Sequence, residues 1–329
     1  MKKIIALILA VVMCIGFTGC GKENSYEASD YMLNVDYKDD YKILQLCDLH
    51  LANKDNRQVH YDYLDGVIKE ANANMIVVCG DLFTFADKTV PKELFAFLDS
   101  YGIPWTVTFG NHDEQCYFSI DWLTNYLNNF GSNCVFKDIQ DDNVFGNANF
   151  VINLNKNGKI QEQVFILDSN RYNYGEYWGY DYIKDDQIEW YENIVKYTTS
   201  KEGHTVPSIA FFHIPVPEFQ TAWDEAEQKI GNNAVYKYGE INEPVSCPKY
   251  NSGFFDSVLK MKSTNALICA HDHVNNWLVN YKGVDLSYGV TSTDRIYYEE
   301  GMIGAQIITV HDDGSLSYDR IYHEYEVTK

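Results

Sequence analysis

The chain has 329 residues, 46% of them hydrophobic and 22% charged, which is enough apolar material for one large globular domain or two modest ones. Its formal charge of −21 excludes a nucleic-acid scaffold as a general partner, because a phosphate backbone needs a basic footprint. No internal repeat or low-complexity tract interrupts it, and the seven prolines mark no linker after residue 40.

In chain order, the first element stands apart from the rest. Lys2 and Lys3 precede a 14-residue apolar run, IIALILAVVMCIGF, shorter than the roughly 20 residues of a spanning helix and therefore patterned as an export signal. Its end, FTGC, is similar to a bacterial lipobox. Residues 1–20 are thus expected to be a lipoprotein signal, with Cys20 the lipidated first residue of the mature chain and residues 21–40 a polar tether. On that expectation the protein is exported and held by a lipid anchor on the outer face of a bacterial membrane.

A single domain is expected over 41–329. YKILQL (41–46) reads as an apolar strand, and the next stretch has helical spacing at Val59, Tyr63, Val67 and Ile68. MIVV (75–78) is a second strand, PKELFAFLDSYG a helix with Pro91 in its first turn, and PWTVTF (104–109) a third strand. This alternation predicts an α/β domain. QVFILD (163–168), SIAFFH (208–213) and NALICA (265–270) extend the sheets, and GAQIITVHDDGSLSYDRIYHEYE alternates around Asp313 and Gly314 like a hairpin. Cys47, Cys79 and Cys269 end apolar runs and read as buried thiols, whereas Cys116 and Cys134 could pair in an exported protein.

Several of these strands end in residues of metal-ligand type. The first is followed by Asp48 and His50, the second by Gly80 and Asp81, and the third by Gly110, Asn111, His112 and Asp113. Later strands give His213, and then His271 with His273. Ligands of α/β sheets bind beyond the carboxyl ends of strands, so residues this far apart in sequence can converge there. A single Asp-X-His triplet or strand-terminal His is common without function. The ordered set, with 33 residues from Asp48 to Asp81 and 30 from Asp81 to Asn111, is what points to a metal centre.

DLH, GDLF, GNHD, FFH and AHDH resemble the five motifs of the calcineurin-like metallophosphoesterase superfamily. DLHL, FFHIPVPEF, DDQIEWY and AHDHVNN are most similar to its purple-acid-phosphatase-like branch, related to the fungal dosage-dependent cell-cycle regulator. The resemblance implies a four-layer α/β/β/α sandwich with two divalent or transition-metal ions, manganese, iron or zinc, at the strand ends. Asp48, His50 and His273 would hold one ion and Asn111, His213 and His271 the other, with Asp81 bridging them. It also implies a phosphoesterase acting on a small phosphorylated substrate, monoesters ahead of diesters, with a hydroxide shared by the metals as nucleophile and His112 protonating the leaving oxygen.

Two positions depart from the family pattern. Ala270 replaces the usual Gly before His271, and Thr84 stands where purple acid phosphatases carry an iron-binding Tyr, so no purple colour is expected. Arg171, Arg295 and Asp113 are the candidates for substrate contact, and Asp113 also for orienting His112. The segment YNYGEYWGYDY (172–182) either stacks a nucleobase or sugar ring beside the site or packs over the sandwich edge. Two other functions stay open: a solute-binding lipoprotein, and an inactive relative that only binds a phosphorylated ligand. The inactive relative would be expected to lack a ligand or His112, and none is missing.

Overall fold

The computed structural model describes residues 26–53, 56–140 and 143–323. The expected signal segment and Cys20 lie outside the described residues. Among the described residues the strands form two large sheets and one small ribbon. The smaller large sheet is built first. Strand β2 (Tyr41–Leu46) is followed by helix α1 (Arg57–Ala71), β3 (Met75–Cys79), α2 (Thr89–Asp99) and β4 (Trp105–Thr108). All residues of β3 and β4 are buried, which is why they read as continuous apolar runs without alternation. β2, β3 and β4 pair in parallel. The tail closes the sheet as the expected hairpin, β14 (Gly304–Val310) and β15 (Leu316–Tyr322), with β14 antiparallel to β2.

The larger sheet takes β1 (Met32–Asp36), β5 (Phe150–Lys156), β6 (Lys159–Ile166), β9 (Ser208–Phe211), β11 (Thr264–Cys269), β13 (Val284–Tyr288), β12 (Leu278–Tyr281) and β10 (Ala234–Tyr238), in that spatial order. Its middle strands β6, β9 and β11 are parallel and alternate between two cores, as the period of two requires. Ile166, Ile209, Phe211 and Ile268 join a core shared with the smaller sheet and with α1, α2 and α3 (Ile120–Asn128). Phe165, Ala210, Leu267 and Cys269 face a second core built with α4 (Asp185–Glu202), α5 (Glu218–Gln228) and α6 (Phe254–Met261). Helices therefore cover both outer faces of a sheet pair, the expected four-layer α/β/β/α sandwich.

The tether expected over 21–40 does not extend that far. β1 pairs in parallel with β5, from Met32 opposite Val151 to Asp36 opposite Asn155. Tyr31 and Tyr37 are buried on either side of it, and Leu33 and Val35 pack on the shared core. Leu33, Val35 and Tyr37, at alternate positions, all reach the shared core, so the segment becomes an edge strand. Cys116 and Cys134 are both free thiols, as are Cys47, Cys79, Cys247 and Cys269.

The two sheets meet at the carboxyl ends of their parallel strands. Thr108 Oγ1 donates to the Leu167 carbonyl (2.9 Å), Gln45 Nε2 to that of Cys269 (3.0 Å) and Cys79 Sγ to that of Phe212 (3.2 Å). This junction collects the loops after β2, β3, β4, β9 and β11 in one place.

Candidate metal centre

The backbone at the junction is unusual. Asp48 (φ 54°), His50 (φ 44°), Asp81 (φ 48°) and His271 (φ 78°) all adopt the left-handed region, which is costly for residues with a Cβ and concentrates at functional sites. Packed neighbours hold them there: the amides of Asp48 and His50 donate to the carbonyls of Gly80 (3.3 Å) and Asp81 (2.9 Å). Two glycines are required by close approach. A Cβ on Gly80 would lie 2.2 Å from His213 Nδ1, and one on Gly110 would lie 2.2 Å from Asp81 Oδ1. Ala270 is accommodated because the left-handed turn falls on His271 instead.

Two buried groups result, Asp48 with His50 and His273, and Asp81 with His213 and His271, each offering three ligand atoms within 4.8 Å of one another. Asp81 Oδ2 lies between them, 3.6 Å from His50 Nε2 and 3.2 Å from His213 Nε2. His50 Nε2 and His273 Nε2 are 3.2 Å apart, as are His271 Nδ1 and His213 Nε2. The rings are fixed from behind: His213 Nδ1–H donates to the Cys79 carbonyl (3.1 Å), His273 Nδ1–H to the Tyr297 carbonyl (2.8 Å) and His50 Nδ1–H to Thr84 Oγ1 (2.8 Å). Each bond protonates the rear nitrogen and leaves the lone pair of Nε2 at the centre, the arrangement metal-ligating histidines use. Thr84, at the position where purple acid phosphatases carry a Tyr, thus supports His50.

The donor set fits two cations. Among the described residues, Asp48 Oδ1, Asn111 Oδ1 and His271 Nε2 are buried side-chain atoms without a hydrogen-bond partner, a costly state for polar atoms inside a protein. Burial pushes the Asp48 carboxyl well above its usual range. Burial likewise holds His50 down at about 3 and His273 at about 4, so both rings stay neutral, the form that binds metal. His213 is opposite: burial alone would lower it, but the carboxylates of Asp81 and Asp48 raise it to about 10, so its Nε2 carries a proton toward Asp81 that a bound cation would displace. Imidazole and carboxylate together suit manganese, iron or zinc.

His112 stands beside this centre with its ring 5.0 Å from that of His50. Its Nδ1–H donates to Gln115 Oε1 (2.8 Å), and its amide to Asp81 Oδ1 (2.7 Å). The residue orienting His112 is therefore Gln115, and not Asp113. Asp113 is fully buried and accepts from the amides of Phe83 (3.0 Å) and Gly110 (2.8 Å). It ties the loop after β3 to the loop after β4; burial, reinforced by Asp81, raises its carboxyl to about 7. Neither arginine joins the ligand residues: Arg171 pairs with Glu114 (2.9 Å), and Arg295 turns its guanidinium to His60 of α1.

The aromatic segment does lie at the centre. It forms a ribbon of two short strands, β7 (Tyr172–Asn173) and β8 (Gly179–Tyr180). Asn111 Nδ2 donates to the Tyr172 hydroxyl (2.8 Å), and the Tyr180 ring meets His271 edge-on at 4.5 Å. On the other side Tyr297 stacks flat on His273 at 4.4 Å, its hydroxyl bonded to Glu243 (3.0 Å). Gln115, Tyr297 and Glu243 have no signature in the sequence.

The fold and this centre place the chain in a family. Residues 41–275 match the calcineurin-like phosphoesterase family, and the chain belongs to it. Among curated relatives it is 29% identical to a probable inactive purple acid phosphatase 29 of Arabidopsis thaliana, over 76% of this chain and 71% of that one. It is 26% identical to phosphatase DCR2 of Saccharomyces cerevisiae over 72% of this chain, spanning only 44% of the yeast protein. Among solved structures, a dimetal phosphatase from Danio rerio superposes with a TM-score of 0.52 at 11% identity, over 88% of this chain and all of that one.

Proposed function

We propose that the protein is a two-metal phosphoesterase that hydrolyses small phosphate esters. One observation carries the reading: Asp81 Oδ2 lies within 3.6 Å of a histidine of each buried triad, as a carboxylate shared by two cations must. Asp48, His50 and His273 would hold one ion, Asn111, His213 and His271 the other, and Asp81 both. When bound, two such cations supply Lewis-acid polarisation of the phosphoryl group and activation of water.

The chain's own residues supply the rest. Asp48 and Asp81 offset part of the cations' charge, and Asn111 contributes a neutral oxygen, so the centre stays net positive and attracts an anionic ester despite the acidic chain. Gln115 accepts the Nδ1 proton of His112, which fixes the ring and leaves Nε2 as the atom for proton transfer to the leaving oxygen. The tyrosines over His271 and His273 restrict water and space on two sides. An ester with one organic substituent needs only one exit from such a site, which supports monoesters over diesters.

Export and a lipid anchor at Cys20 belong to the same proposal, supported by Lys2, Lys3 and the apolar run after them. The competing reading is a binding-only relative, suggested by the name of the Arabidopsis protein. Protein reconstituted with manganese, iron or zinc and offered a monoester, a diester and a pyrophosphate distinguishes the two. Turnover is expected, fastest on the monoester. Stoichiometric binding without turnover of any of the three would overturn the proposal.

A further inference from the structure

Phosphoesterases need donors for the phosphoryl oxygens that do not react, and arginine is the usual choice for a planar, bidentate clamp. This chain has four arginines, and each is engaged elsewhere. Arg57 pairs with Glu93 (2.6 Å), Arg171 with Glu114 (2.9 Å), Arg295 contacts His60, and Arg320 lies over the Tyr238 ring while donating to Gln306 (3.2 Å). Another donor has to take that place.

The ribbon of β7 and β8 offers one. Tyr172 opposes Tyr180 in its register, the two rings stack at 5.7 Å, and Tyr180 is held against His271. The Tyr172 ring therefore has little freedom. Its oxygen accepts from Asn111 Nδ2 (2.8 Å), which fixes the sense of that amide and leaves the buried, unpartnered Oδ1 as its free ligand atom. A phenol also carries one proton to donate. Among the described residues none accepts the Tyr172 proton, and the side chain is half-buried beside the centre. Arg171, the residue just before β7, is held instead by Glu114 (2.9 Å).

Resting on the phosphoesterase reading above, we infer that Tyr172 is a substrate-contacting residue: its hydroxyl donates to a non-reacting phosphoryl oxygen while its oxygen holds the Asn111 amide. A hydrogen bond to a charged acceptor contributes roughly 1.5–3 kcal/mol, or about 10- to 100-fold in affinity.

The test is titration calorimetry with inorganic phosphate on protein kept at metal concentrations that fill both sites, with metal content measured on the same sample. Tyr172→Phe should bind phosphate about 10- to 100-fold more weakly than the unaltered protein and keep two ions. Tyr174→Phe, at a neighbouring exposed ring, should match the unaltered protein. Unchanged phosphate affinity in Tyr172→Phe at full metal content would overturn the inference. Loss of one ion from Tyr172→Phe under these conditions would reduce the hydroxyl to a prop for Asn111 and overturn the donor role. Unaltered protein that binds neither metal nor phosphate would instead overturn the phosphoesterase reading, a separately recognisable result.

Discussion

His112 is the residue whose chemistry is most open to test. It contacts Asp81 through its amide and Gln115 through its ring, so its removal should spare the metals. Proton donation matters when the leaving group is an alkoxide and hardly at all for p-nitrophenolate. His112→Asn is expected to lose about 10² to 10⁴ in rate on an alkyl phosphate and much less on p-nitrophenyl phosphate. Equal losses on both substrates would assign the ring to positioning. A different buried group governs stability. Glu162 on β6 is fully buried, neither carboxylate oxygen has a hydrogen-bond partner among the described residues, and burial pushes its carboxyl well above 4.5. The folded state thus keeps a proton that the unfolded chain releases, so stability falls as pH rises above about 4.5, the reference value for a free Glu. Glu162→Gln should unfold at a higher temperature than the unaltered protein at pH 8, and the gap should close toward pH 4. A gap that did not depend on pH would contradict this assignment. At this scale the candidate ligands were legible because each lies just beyond an apolar run. The partners behind them were not: Thr84 reaches His50 across 34 residues and Tyr297 reaches His273 across 24, distances over which no periodicity carries information.

Among the elements, β1 is the one whose role differs most from its appearance in the sequence. Tyr31, just before it, packs edge-on against Trp190 of α4 at 5.5 Å and is buried. Tyr31→Ala should cost roughly 3 kcal/mol, as large-to-small changes at aromatic core positions do, and should lower the unfolding temperature by several degrees. An unchanged melting curve would return the segment to the role of a tether. The alternation of Tyr31, Leu33, Val35 and Tyr37 was a readable strand signal, masked by the acidic residues around it. The β5–β6 hairpin also had one: Asn157 and Gly158, both at positive φ, are the residues a two-residue turn demands. β7 and β8 had none, since two residues are too few to establish a period, and their placement comes from stacking of Tyr172 on Tyr180.

For the molecule as a whole, the proposed phosphoesterase would bind an anion on a −21 chain: positive charge would be confined to the centre, while screening weakens the field of distant carboxylates beyond about 8 Å. The same scale decides location. Cys20→Ser should release the protein from the membrane fraction, because stable attachment takes two acyl chains; undiminished attachment would argue against lipidation. The four-layer arrangement was legible through the resemblance of five short motifs, whereas the edges of the larger sheet were not, because β10 and β1 are partly exposed strands of mixed polarity. The claim on which the rest depends is that Asp81 holds two ions at once. Elemental analysis of the purified, metal-reconstituted protein beside its Asp81→Ala variant tests it most directly. About two transition-metal ions per chain are predicted for the unaltered protein, and a loss exceeding one ion's worth for the variant. Two tightly retained ions in Asp81→Ala, or none in the unaltered protein, would contradict it.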